Sequence, residues 1–477
     1  MVPAQLAGGS RIGRLLTERA RLGDAPLLSD RTGRVVTFAA VERARKRLAS
    51  ACAETGVGPG SGVLLRPRDL LEYATGFFAL LGAGMVVVPV DPAAPAEELG
   101  RIAGIAGPAA LLGDGLELSP REGPPRPPEG SAGVFLCTSG TTGTPKGVYL
   151  DEDRLLHVAG QVCSHHGITA GEKGLCLLPL YHVNAEVVGL LSSLLGGAEL
   201  VVEERFHRTG FWELVEREEI TWINAAPAII AVLASTAGPQ APPARVRFAR
   251  SASAPLAAGT MRQFEEKTGI PVLESYGMTE AASMITANPL GAGRPGSVGL
   301  AVGAEVRVVE GPHRVASGEV GRVQVRGPGV IAGYAVGGGA DAIDADGWLE
   351  TNDLGYLDQE GFLYLVGRSD DVINRGGEKV YPREVEEVLM ASRELAAAVV
   401  VGEPHPILGG VPVAYVVPVR LDGSLEGLVT RLERRCRSEL SSYKRPSEIH
   451  VVEALPVGPT GKVRRREVTP SLLRAAR

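Results

Sequence analysis

The chain has 477 residues, 44% of them hydrophobic and 22% charged, a balance that argues against both a disordered chain and a membrane-spanning one and calls for more than one core. Its 49 Lys and Arg against 55 Asp and Glu leave a formal charge of −6, which argues against nucleic-acid binding through a broad basic surface. The 62 glycines follow no three-residue period, so they mark turns and close backbone approaches, not a collagen-like repeat.

From the start of the chain, Met1 to Asp24 holds no apolar run long enough for a signal peptide, and Phe77 to Val90 is too short to cross a bilayer. A cytoplasmic enzyme is the expectation. Cys52, Cys137, Cys163, Cys176 and Cys436 are odd in number, widely spaced and lack a Cys-x-x-Cys, which predicts reduced thiols. Gly62–Leu65 reads as a strand, Leu70–Ala83 as a helix and Met85–Val90 as a β-branched strand; this alternation predicts an α/β fold with largely parallel sheets. Ser119–Gly130 is a Pro- and Gly-rich surface loop leading into strand Gly133–Cys137. A second loop spans Gly333–Gly347, with glycines at 337, 338 and 339. After about Asp370 the pattern changes to helix Pro382–Ala391, strands Ala396–Val401 and Val411–Val419, and helix Leu425–Leu440. That is enough for a small α+β domain over 370–477, beside a large N-terminal domain over 1–369.

The most informative segment follows strand Gly133–Cys137. Thr138 to Gly147 reads TSGTTGTPKG: hydroxyls at Thr138, Ser139, Thr141, Thr142 and Thr144 stand among Gly140, Gly143 and Gly147, with Lys146 near the end. Glycines let backbone N–H groups turn toward an anion, hydroxyls add neutral donors, and a lysine adds a mobile positive charge. Such a loop can cradle a triphosphate. It is not a Walker A loop, since Pro145 precedes Lys146 and Gly147 follows it. Farther on, Glu274–Glu280 (ESYGMTE) offers a flat ring at Tyr276, a close turn at Gly277, a hydroxyl at Thr279 and a hard oxygen ligand at Glu280, the last suited to Mg²⁺ bridged to phosphates.

These segments resemble the adenylate-forming, AMP-binding enzymes, most closely the acyl- and aryl-CoA synthetases, and the likeness runs over nearly the whole chain. The resemblance implies a large ATP- and acyl-binding domain and a small mobile domain, with ATP, Mg²⁺ and CoA as the reaction's companions. It places the phosphates on Thr138, Ser139, Gly140, Thr141, Thr142, Gly143 and Lys146. Adenine stacks on Tyr276 and lies against Gly277, Ser253 and Ala254 (the last two in SASAPL); Thr279 contacts the α-phosphate and Glu280 the metal. Asp353, in ETNDLG, reaches the ribose, and Arg368, in GRSDD, the ribose or the phosphates. The family has Gly where this chain has Asn352, a departure expected to alter backbone more than chemistry. Asp370 matches the hinge, Gly376 and Gly377 the pantetheine tunnel, and Lys462, in PTGK, the lysine that contacts both carboxylate and α-phosphate. Arg464, Arg465 and Arg466 read as a solvated helix face, and His165 and His166 as surface residues.

The acyl pocket is expected around His182, Asn184, Ala225, Ala226, Ser275 and Ala281. No aspartate stands near His182 to hold an α-ammonium, and these residues offer no cation for a second carboxylate, so the expectation is a bulky or medium, mainly apolar monocarboxylate in preference to a short diacid. The expected reaction is ATP-dependent formation of an acyl-adenylate followed by transfer to CoA, with a carrier protein or partner enzyme as the alternative acceptor. A non-catalytic nucleotide-binding protein is disfavoured by the joint presence of Lys146, Glu280, Asp353, Arg368 and Lys462.

Overall fold

Val86–Pro89 is buried at every position, as a strand covered on both faces must be. Residues 10–121, 131–138, 146–337, 342–419, 425–458 and 462–469 are described by a computed structural model, and the strand counts below are of those residues. Val86–Pro89 lies inside a six-stranded sheet ordered Leu118–Pro120, Ala110–Leu112, Gly62–Leu65, Val86–Pro89, Gly133–Thr138, Lys146–Asp151. The four inner strands run parallel and both edges return antiparallel. Parallel neighbours need a crossover, and helices Leu70–Gly82 and Ala96–Ala106 supply it. The Asp69 carboxylate caps the first of these, accepting the Leu71 and Glu72 N–H groups at 3.0 Å each, a contribution of about 1 kcal/mol.

A second sheet of nine strands is ordered Leu300–Ala301, Ser283–Ala287, Val272–Met278, Phe248–Ser251, Trp222–Ala225, Lys173–Cys176, Glu199–Val202, Pro26–Asp30, Val35–Thr37. Its centre, from Val272–Met278 to Pro26–Asp30, is parallel. The two sheets share one apolar core: Val63, Val87 and Val134 from the first meet Leu28, Leu200, Trp222 and Phe248 from the second, with Phe77 and Phe78 between. The parallel-rich α/β reading therefore holds. In such sheets ligands bind beyond the carboxyl ends of the strands, and here Ala226 and Thr279 directly follow two strand ends and Ser253 lies two residues past a third, between them.

Three features differ from the sequence reading. Ser119 and Pro120 belong to an antiparallel edge strand against Ala110–Leu112, not to a loop; residues 122–130 lie outside the described set. His166 is fully buried, edge-on to Phe248 with ring centroids 5.4 Å apart, because a helix turn tucks it beneath the second sheet. The third is a five-stranded antiparallel sheet ordered His313–Arg314, Glu305–Glu310, Gly321–Arg326, Leu349–Leu357, Leu363–Arg368. Gly321–Arg326 alternates buried and open positions, and its neighbours keep only a few buried residues each, so none forms an apolar run that stands out by composition.

After Arg368 a single turn, Ser369–Asp371, leads to a last sheet: Glu378–Val380, Ile373–Arg375, Gly409–Pro418 and Leu395–His405 in order, with Glu448–Val451 parallel to Gly409–Pro418. Helices Pro382–Met390 and Leu425–Glu439 cover it through Val385, Leu389, Leu428 and Leu432. No helix among the described residues is long and apolar enough to cross a membrane.

Candidate active site

Strands Gly133–Thr138 and Lys146–Asp151 pair antiparallel, with Thr138 opposite Lys146. The two ends of the glycine-threonine loop are thereby held together. Ser139, Gly140, Thr141, Thr142 and Gly143 lie outside the described residues. Lys146 Nζ stands 4.5 Å from the centre of the Tyr334 ring, and the Tyr334 hydroxyl donates to Glu280 Oε1 at 3.0 Å. Backbone bonds fix this arrangement: Gly147 N–H to Val336 O at 2.7 Å, Ala335 N–H to Gly147 O at 2.9 Å, and Ile331 N–H to Glu280 O at 2.9 Å. Tyr334 is a site residue that the sequence reading missed; its only signal was an aromatic ring inside the loop Gly333–Gly347.

Glu280 sits half-buried in the turn Thr279–Ala281 that ends strand Val272–Met278. With one oxygen engaged by Tyr334 it keeps hard oxygen lone pairs free, which fits Mg²⁺ held by one carboxylate and completed by phosphates and water. Among the described residues no group of three or more His, Cys, Asp or Glu gathers to hold a metal, so further ligands would come from the nucleotide. Gly277 is required sterically, since a Cβ there would stand 1.3 Å from Ser283 O.

Tyr276 donates its hydroxyl to Asp353 Oδ2 at 2.6 Å, and Arg368 Nη1 lies 3.3 Å from Asp353 Oδ1. Register explains the pair, for Asp353 and Arg368 are direct antiparallel partners. Burial raises the Asp353 carboxyl, opposed by the Arg368 charge and the Tyr276 bond. Asn352 has φ 60°, a left-handed conformation that Asn tolerates far better than branched residues. Asn can therefore hold a left-handed turn at the position where the family has Gly.

Lys462 follows residues 459–461, which are outside the described set. It is anchored by the Gly458 N–H to Lys462 O bond at 2.8 Å and a bridge between Val457 and Val463. The residue is exposed along its length, yet its ammonium end is crowded: lost solvation and the Arg368 charge lower its pKa, against the attraction of Asp353 and Asp371. Lys462 therefore shares one electrostatic neighbourhood with the Asp353–Arg368 pair. Asp370 lies in the turn between the third and fourth sheets. Gly376 and Gly377, at φ 62° and 97°, form a two-residue hairpin turn of the type that needs positive φ at both positions. Arg465 is not the solvated charge expected of it: it donates to Val400 O at 2.6 Å and to Glu386 Oε2 at 2.8 Å.

Around the acyl pocket, Ala225 is fully buried at a strand end, and buried Ser275 has a hydroxyl with no hydrogen-bond partner. His182 packs on Tyr181 with centroids 4.7 Å apart; burial pushes its pKa down to about 4, so the ring is neutral at pH 7. Asn184 opens a π-helix, Asn184–Leu191, a form concentrated at functional sites. Its Nδ2 donates to Ser253 Oγ at 3.3 Å, while its Oδ1 accepts from Asn224 Nδ2 at 3.2 Å and Arg250 Nη1 at 3.0 Å. Ser253 faces solvent at φ 76°, and Ala254 beside it is half-buried. Arg250, only 1% exposed, brings a cation against Asn184, one of the residues expected at the acyl pocket. The signal was present in Phe248–Ser251, where an arginine interrupts a buried parallel strand.

The family model for AMP-binding enzymes matches residues 16–123 and 115–335, and that for the AMP-binding enzyme C-terminal domain matches residues 384–462. The chain belongs to the AMP-binding enzyme family. The sulfoacetate–CoA ligase of Cupriavidus necator is 36% identical over 488 residues, covering 94% of each chain. The oxalate–CoA ligase of Arabidopsis thaliana is 32% identical over 485 residues, covering 91% of this chain and 92% of its own. Among solved structures, o-succinylbenzoate CoA synthetase from Bacillus subtilis, in complex with its acyl-adenylate intermediate, matches with a TM-score of 0.81 at 28% identity over 95% of this chain and 97% of that one. This AMP-binding enzyme is an AMP-forming acid–CoA ligase.

Within the ligase, Lys146 and Glu280 meet through Tyr334, while Tyr276, Asp353, Arg368 and Lys462 form a second group whose Asp353 also feels the Glu280 charge. Ser253 and Asn184 are joined to each other. The described contacts of Gly376 and Gly377 are with Leu408 and Asn374, inside the small module.

Proposed function

We propose that this acid–CoA ligase activates a small carboxylic acid at the cluster around Asp353 and then, after the small module turns about Asp370, transfers the acyl group to CoA. The acid's carboxylate oxygen attacks the α-phosphorus of ATP, a P–O bond forms, and pyrophosphate leaves. The CoA thiol, losing its proton, next attacks the acyl carbon and AMP leaves. The obstacle in the first step is an anion approaching a polyanion, so fixed positive charge is what catalysis requires. Lys146 and the N–H groups of residues 138–147 are assigned to the β- and γ-phosphates, Thr279 and Lys462 to the α-phosphate, and Tyr276 to adenine. Asp353 and Arg368 are assigned to the ribose. Glu280 would hold Mg²⁺, which would neutralise phosphate charge.

The single observation that carries this reading is the position of Lys462. Borne on the small module, it sits in the field of Asp353 and Arg368 on the large one, the arrangement needed before adenylation and not after it. Domain limits near 369/370 are supported by the change of sheet between Arg368 and Ile373. Sulfoacetate, oxalate and o-succinylbenzoate, the acids named for the relatives, each carry a second acidic group, which favours a polar acid here over an apolar one. A cytoplasmic compartment is supported by the five cysteines, all unpaired.

Hydroxylamine trapping across a panel of acids tests the reading. The expected result is a hydroxamate with one class of acid, AMP and pyrophosphate in equal amounts, and a thioester when CoA replaces hydroxylamine. AMP release without thioester would remove CoA as the acceptor, and no ATP consumption with any acid would remove the ligase reading itself.

A further inference from the structure

We propose that Arg250, acting with Asn184 and Ser253, forms an anion subsite that selects acids carrying a second anionic group, a carboxylate or a sulfonate, at the far end from the carboxylate being activated. The inference rests on the acid–CoA ligase reading and names the substrate class of that same site.

Three observations carry it. Arg250 is 1% exposed, yet no ion pair among the described residues includes it, whereas the other largely buried arginine, Arg383, bonds Glu387 at 3.1 Å. The Arg250 guanidinium has only amide oxygens for partners, Asn184 Oδ1 at 3.0 Å and Asn224 Oδ1 at 3.2 Å, both on Nη1, and its buried Nε bonds nothing. Removing a guanidinium from water without a counter-charge costs several kcal/mol, and burial lowers the pKa of this one to about 9. The groups on its other side offer no compensation: His165 and His166 are themselves pushed toward the neutral form, in part by the Arg250 charge. An uncompensated buried charge on a strand that ends at the active site is explained by a ligand that supplies the missing anion.

The second observation is direction. Hydrogen bonds run from solvent-facing Ser253 through the Asn184 amide to Arg250, so the charge is coupled to the pocket mouth by a polar relay. The third is position. Arg250 lies three residues before Ser253 and, by register, opposite Leu273 on the strand that carries Ser275, Tyr276 and then Thr279 and Glu280. An acid held beside Ser275 therefore borders the strand that carries Arg250.

The test compares acids of matched length. Wild-type enzyme is assayed by hydroxylamine trapping with sulfoacetate and succinate against propionate and butyrate. The expected preference in kcat/KM for the dianions is about 100-fold, the scale of hydrogen bonds to a charged group. Arg250→Met should lower that ratio by about the same factor, through KM for the acid and not for ATP. Arg250→Lys, which keeps the charge and protects against loss of folding, should show an intermediate ratio. Sulfoacetate against succinate tells which anion the subsite takes. A wild-type enzyme that uses butyrate as well as the dianions overturns the inference while leaving the ligase reading intact. So does an Arg250→Met or Arg250→Lys enzyme that loses activity equally toward both classes. Failure of every acid to drive pyrophosphate release overturns the ligase reading together with the inference.

Discussion

Two charge clusters at the candidate active site, one half-buried around Asp353 and one buried around Arg250, are built on opposite principles. The Asp353 carboxylate is answered on both oxygens: Tyr276 donates to one and Arg368 lies by the other. Around Arg250 the charge is answered only by the dipoles of Asn184 and Asn224. A compensated cluster can be rigid before substrate arrives, which suits groups that must orient a neutral ribose. An uncompensated one stores an unfavourable free energy that a fitting anion releases, which suits discrimination between acids. On the proposed assignment, the nucleotide side is thus prepared by pairing, and the acid side by withholding a partner.

The hinge gives the largest expected effect, because the proposed turn of the small module is what separates the two half-reactions. Asp370→Pro should leave acid-dependent pyrophosphate exchange near the wild-type rate and lower thioester formation roughly 100-fold, the cost of mispositioning a reacting group by about an ångström. Equal loss in both assays would remove the hinge. Asp353→Ala should come next: losing hydrogen bonds to a charged group raises KM for ATP roughly 10- to 100-fold, with KM for the acid unchanged. If the acid KM rose as well, the two clusters would not be separable.

A third effect is one of stability. Burial pushes the Glu274 carboxyl up to about 7 from 4.5, against the pull of Arg383 on the small module. Between pH 4.5 and 7 the folded state therefore holds a proton that the unfolded state has lost, and stability falls as pH rises through that window. Glu274→Gln should flatten the dependence of Tm on pH there and exceed the wild type above pH 7; an unchanged slope would assign the titration elsewhere. Asn352 gives the smallest effect. Asn352→Val, forced to φ 60°, should cost roughly 1–2 kcal/mol, read as a drop in Tm, whereas Asn352→Gly should be nearly silent.

The compensated cluster was legible in the sequence because its members sit in contiguous motifs whose residue types state their chemistry. Glu280 and Asp353 are hard oxygen donors, Lys146 stands among glycines, and Lys462 lies in a tight turn. The parallel-rich sheets were legible through runs such as Val86–Pro89. Arg250 was not, since a single charged residue between Ala249 and Ser251 has no motif, and its meaning depends on a long-range meeting with Asn184. Tyr334 escaped for the same reason, being brought to Lys146 and Glu280 only by backbone pairing with Gly147. The antiparallel sheet ending at Arg368 escaped because short strands with one open face differ little from loops in composition.

Lys462 joins the two halves of the account, and its removal tests the central claim most directly. With sulfoacetate or another acid that the wild type activates, Lys462→Ala is predicted to lower acid-dependent ATP–pyrophosphate exchange by roughly 100- to 1000-fold, while still converting a supplied acyl-adenylate to its CoA thioester. Exchange by Lys462→Ala at the wild-type rate would contradict the claim that this residue supplies charge for adenylation.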